Sequence, residues 1–164
     1  MTEEKKEGFS LALALTDALP VILFSASIVL ITLKYKSALF IIGAVLCASA
    51  GLGKVAWKMI LALGGPDVKF LAKQFRFLMP SGFLLMIVSV ILDRRAIDFF
   101  AVGRSVMSFP AAFFFGAWVL LIFYMIWLAK HMDQNDAKVN WKEQFVNSAA
   151  QLAFLLGILS CVLK

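Results

Sequence analysis

Five times in 164 residues the chain enters an apolar run that reaches, or comes close to, the length needed to cross a bilayer. A hydrocarbon core of about 30 Å takes roughly 20 helical residues at ~1.5 Å each. The runs are 9–33, 37–63, 75–92, 105–129 and 145–163. Composition agrees, with 62% of residues hydrophobic and 16% charged, against about 45–50% and 25% in soluble domains. Mean hydropathy is +0.91. A water-soluble fold of this size leaves too much surface exposed to hide that apolar content. The pattern predicts an all-α, polytopic transmembrane bundle of about five spans forming a single domain over 1–164. It argues against a soluble enzyme, a nucleic-acid module and a disordered chain.

The joins between runs carry matching chemistry. Lys34-Tyr35-Lys36 reads as a short interfacial turn. In Gly64-Gly65-Pro66-Asp67 the glycines suit a helix C-terminus, the proline cannot continue the helix, and Asp67 can cap the next one. Beyond it Lys69, Lys73 and Arg76 fall at i, i+4 and i+7, with Val68, Leu71, Phe75 and Leu78 on another face. That spacing predicts a short amphipathic helix at headgroup level before the third span, the alternative being the first turns of the span itself. Asp93-Arg94-Arg95 ends the third span. The longest polar stretch runs from Lys130 to Lys142, and Asn140 with Glu143 reads as a capping box for the fifth span. The opening Met1-Thr-Glu-Glu-Lys-Lys-Glu mixes charges, and no small-x-small cleavage site follows, so the first run is expected to be retained.

Basic residues set the expected orientation. With the N-terminus in the cytoplasm, Lys5, Lys6, Lys69, Lys73, Arg76, Lys130, Lys138 and Lys142 lie inside. Lys34, Lys36, Arg94, Arg95, Arg104 and Lys164 lie outside. The modest excess favours an N-terminus in the cytoplasm of a cell (cytoplasmic) membrane. The net charge of +6 is then a matter of lipid headgroups and topology, with no nucleic acid implied.

Ionisable groups within the spans are the functional leads, since each costs roughly 2.5–3.5 kcal/mol to insert. Asp17 stands eight residues past Phe9, about 12 Å in from the N-terminal end of its span. Lys54 stands nine residues before Leu63, about 13 Å in from the same side of the membrane. Lys58 is one turn shallower on the same face. Antiparallel helices should therefore bring Asp17 level with Lys54 as an ion pair. Asn147 and Gln151, at i and i+4 of the fifth span, share that depth, as do Ser81, Tyr124 and Trp127. Gly43, Cys47 and Gly51 lie on the stripe of the second helix that leads to the two lysines. Small residues there permit close helix approach. A packed outer half opening into a basic inner pocket is the arrangement expected to hold a small anion or a lipid phosphate. Its ligand residues would be Asp17, Lys54, Lys58, Tyr124, Asn147 and Gln151. The plainer alternative is that the lysines snorkel to the headgroups and Asp17 only fixes helix register.

Other chemistry is sparse. The two cysteines, Cys47 and Cys161, show no ligand spacing, and the single histidine, His131, follows the fourth run. Neither a metal site nor a cofactor is expected from such a set. The sequence contains no GxSxG, HExxH or P-loop and no visible nucleophile–base pair. The expectation is a small binding or transport component of the lipid bilayer, with a partner copy or subunit needed to enclose a pathway. The rivals are a structural or accessory subunit and, more weakly, a lipid-modifying enzyme.

Overall fold

The structure, a computed structural model, describes residues 11–132 and 137–163. Every regular element among them is a helix: α1 (Leu11–Lys34), α2 (Ala38–Ala62), α3 (Lys69–Leu92), α4 (Phe99–Met107), α5 (Ala111–His131) and α6 (Ala137–Val162). All but α4 are long and apolar enough to span a membrane, which suggests a multi-pass protein. In space the long helices follow the order α3, α2, α1, α6, α5, each packed on its neighbours in that series. α4 rests against α5 and α6.

Packing is inside-out relative to a soluble protein. Leu128 apart, the most deeply buried positions are small, among them Ala14, Ala50, Ala111, Ala150, Ser27 and Ser89. The large side chains Leu33, Phe70, Phe77, Leu120 and Phe123 point outward. In hydrocarbon no hydrophobic force separates Leu from lipid, so close backbone approach and polar contacts hold helices together. The α2–α3 crossing shows this directly. A Cβ placed on Gly43 would sit 2.6 Å from the Gly82 carbonyl oxygen, and one on Gly82 would sit 2.6 Å from that of Gly43. The small stripe expected on α2 thus serves two partners, Gly43 and Cys47 meeting α3 while Gly51 faces Val21 of α1.

The α2–α3 turn is built by its glycines. Gly64 has φ +78°, the left-handed conformation that glycine adopts without a Cβ penalty. Its N–H donates to Leu61 O (3.0 Å) and that of Gly65 to Ile60 O (2.8 Å), the paired bonds of a Schellman motif. Asp67 does not cap α3 as expected; its carboxylate accepts the Trp57 indole N–H at 2.8 Å, and Val68 stands at the cap.

Three boundaries depart from the sequence expectation. The basic amphipathic segment is no separate helix. α3 begins at Lys69 and continues through Pro80, because nothing from Lys69 to Met79 interrupts a helix and flanking structure absorbs a proline in a span. The short extra helix instead precedes the fourth span. Asp98 accepts the Ala101 N–H (2.9 Å) and starts α4, which takes in residues 105–107 of the expected fourth span, so that the span itself begins at Ala111. Finally, α6 is already helical at Ala137, so Asn140 lies within it and forms no capping box.

Gly82→Leu is expected to disrupt the α2–α3 crossing and lower stability by about 1–3 kcal/mol, the usual cost of overpacking. Gly116→Ala, where an added Cβ meets nothing within 4 Å, should be neutral or stabilising by up to ~1 kcal/mol. Thermal unfolding in detergent distinguishes the two.

Candidate functional site

The face of the molecule that carries the start of α1 also carries the end of α2 and the starts of α3 and α6. There Asp17 meets Lys58, not Lys54: the Lys58 ammonium donates to Asp17 Oδ2 as an ion pair. The two side chains are 7% and 13% exposed, Asp17 the deeper. The reason is side-chain direction. Counted along the axes, Asp17 lies six residues inside α1, between Lys58 (four inside α2) and Lys54 (eight inside). A helical side chain leans toward its own N-terminus. On α1 that carries Asp17 toward the helix end; on α2 it carries a lysine inward. Lys58 therefore rises to meet Asp17, and Lys54 overshoots. Cα depth along the axis does not by itself identify the partner lysine.

Lys54 instead faces a cavity of about 280 Å³. α1 contributes Asp17, Pro20, Val21 and Phe24; α2 contributes Cys47, Gly51, Lys54 and Val55. α3 supplies Phe75, Met79 and Phe83, and α6 supplies Gln144, Asn147 and Gln151. The Lys54 ammonium lies 4.7 Å from the centre of the Phe75 ring, a cation–π distance. Helices α3 and α6 are not packed on each other, so the cavity is a groove floored by α1 and α2.

Of the six expected site residues, the fold brings Asp17, Lys54, Asn147 and Gln151 to one cavity. Lys58 stands behind, holding Asp17. Tyr124 stands apart: its ring stacks on Trp127 (5.9 Å) and lies beneath the Lys142 ammonium (5.8 Å), outside the lining. Ser81 and Trp127 do not line it either. Two of the unexpected lining residues matter to its chemistry, Gln144 and Phe75. Gln144 precedes the expected start of the fifth span, yet it forms a stripe with Asn147 and Gln151 at i, i+3 and i+7, the signal that could have found it. Phe75 carries no polar signal at all. Gln74 beside it ties α3 to α2 through its Nε2, which donates to Ala50 O (3.1 Å).

A second polar cluster, at the opposite end, went unread because its members are far apart in sequence. Tyr35 Oη donates to Asp93 Oδ2 (2.6 Å). The Ser89 hydroxyl, 1% exposed, donates to Ser37 Oγ and lies 2.8 Å from Tyr35 Oη. These groups pin the α1–α2 turn to the end of α3. Hydrogen bonds from Tyr35 and Ser37 hold the Asp93 carboxyl below its ordinary value. Among the described residues no three His, Cys, Asp or Glu side chains gather as metal ligands do.

Asp17→Asn or Lys58→Met alone should cost on the order of 3 kcal/mol by orphaning a buried charge, and the double variant should recover most of it; detergent unfolding gives the cycle. The depressed Asp93 value means its contribution is present above the unfolded carboxyl range and is lost as pH falls through the folded value. Tyr35→Phe should flatten that acid-side loss, read as the unfolding midpoint against pH from neutral to acid. The chain matches no family model, no curated protein and no solved structure.

Proposed function

We propose that the chain is a multi-pass protein of a cytoplasmic-type membrane, its N-terminus inside, whose groove binds the anionic group of a ligand, a carboxylate or phosphate. The observation that supports this most is the division of labour between two lysines one turn apart. Lys58 is engaged with Asp17. Lys54, held over Phe75, presents its ammonium to a cavity that three amide side chains of α6 also line. An ammonium with amide N–H groups opposite it suits a small oxyanion. The volume, about 280 Å³, is close to the lower bound of roughly 300 Å³ for ligand pockets. Binding is the activity proposed; movement of the anion across the membrane would require a second copy or another subunit to close the groove.

A second reading has its own observation. The Asp17–Lys58 pair joins α1 to α2, as a structural or accessory subunit would need. The two readings separate at Lys54, which that pair does not use.

In detergent, inorganic phosphate is expected to raise the unfolding temperature of the wild type beyond the effect of chloride at equal ionic strength. Lys54→Met should weaken that phosphate effect about tenfold or more, since a charge-assisted hydrogen bond contributes about 1.5–3 kcal/mol. Equal stabilisation of wild type and Lys54→Met would leave the structural reading standing.

A further inference from the structure

The anion-binding cavity ends at Phe24 and Phe83, and a second space begins beyond them. Phe24 and Phe83, whose rings sit 5.9 Å apart, also border a second cavity of about 340 Å³. Its lining is almost wholly apolar: Ile28 and Ile31 from α1, Phe40 from α2, Met86, Ile87 and Val90 from α3, with Phe154 from α6 closing it. Among the described residues no charged side chain borders this second cavity. The two spaces, head and tail, are thus neighbours along one groove, with the Phe24–Phe83 ring pair at their common border. The tail space covers Phe24 to Ile31 on α1 and Phe83 to Ile91 on α3, an axial length of about 10–12 Å, close to the ~15 Å depth of one leaflet's hydrocarbon. Because α3 and α6 do not pack together, both spaces open sideways.

We infer that the ligand is an anionic amphiphile, a single alkyl or acyl chain ending in a phosphate or carboxylate, with its head at Lys54 and its tail along α3 between Phe83 and Ile91. The inference rests on the anion-binding reading and adds the class of molecule. An ordinary lipid beside the protein keeps its head at the interface. Lys54 lies about 12 Å inward of the α2 end, so a head bound there is withdrawn from the interface and its tail reaches past the midplane. Charge fixes the direction, since among the described residues Lys54 is the only cation on the joint lining and the carboxylate there, Asp17, is held by Lys58. Entry is lateral, between α3 and α6, and no part of the chain need be threaded by the tail.

The test uses dodecyl phosphate bearing a photoreactive diazirine near the end of its chain, added to the full protein in phosphatidylcholine nanodiscs. Labelling is expected on α3 around Ile87–Ile91 and on α1 around Ile28–Ile31. It should be displaced by unlabelled dodecyl phosphate and not by dodecyl phosphocholine. Lys54→Met should reduce it about tenfold. Val90→Trp and, separately, Ile31→Trp should block tail labelling while leaving the stabilisation by inorganic phosphate intact. Labelling spread evenly over the outward faces of α3 and α5, or insensitive to these variants, overturns the amphiphile; if inorganic phosphate still stabilises the wild type, the small-anion reading survives alone. If neither phosphate stabilises nor dodecyl phosphate labels, both readings fall.

Discussion

A carboxylate placed in hydrocarbon needs a partner, and this molecule is arranged around giving one to Asp17. The residue is 7% exposed and lies a turn and a half into α1. Its counter-ion has to come from a helix running the other way, at a depth where a lysine's stem can rise to meet it. Lys58 on α2 meets that condition. Once α1 and α2 are held in that register, Gly51 comes against Val21, and Gly43 and Cys47 are turned toward α3. The crossing with Gly82 then follows from the absence of side chains, since neither backbone leaves room for a Cβ. The Tyr35–Ser89–Asp93 contacts fasten the far end of the same three helices. One unit, α1–α2–α3, is thereby stapled at both ends and pressed together between them.

Satisfying Asp17 with Lys58 is also what leaves Lys54 to the groove. Two lysines on one helical face could have shared the carboxylate, and the cavity would then carry no charge of its own to offer. Instead the shallower lysine neutralises the acid and the deeper one lies over an aromatic ring, a position compatible with exchanging that weak contact for an anion. The amide stripe of α6 completes the lining. Beyond Phe24 and Phe83 the lining turns apolar, and this change along the groove is the observation behind the proposed amphiphile.

Much of this was legible in residues taken in order. Apolar run length announced five long helices, and Gly64-Gly65-Pro66 marked a turn whose hydrogen bonds bear out that reading. The depth of Asp17, Lys54, Asn147 and Gln151 could be counted, because rise per residue is constant along a helix. What could not be counted was direction. Cβ lean moved Asp17 and the lysines opposite ways and changed the partner. Tyr124, at a suitable depth, faces its own neighbours Trp127 and Lys142 and misses the cavity, because depth says nothing about rotation around an axis. Likewise α4 carries an amphipathic pattern, but over nine residues it is too short to stand out between two longer apolar runs.

The chain's composition and its run lengths by themselves determined that it is helical, apolar enough for a bilayer, and marked by a few charges at a shared depth, since each of these follows from local periodicity and the cost of desolvating an ion. Which lysine serves Asp17, which helices leave a gap between them, and whether a polar and an apolar space run together were decided only by the tertiary structure. Those depend on the rotation of each helix and on its choice of neighbour, and both are set by contacts between residues far apart in the chain, such as Gly43 with Gly82 and Asp17 with Lys58.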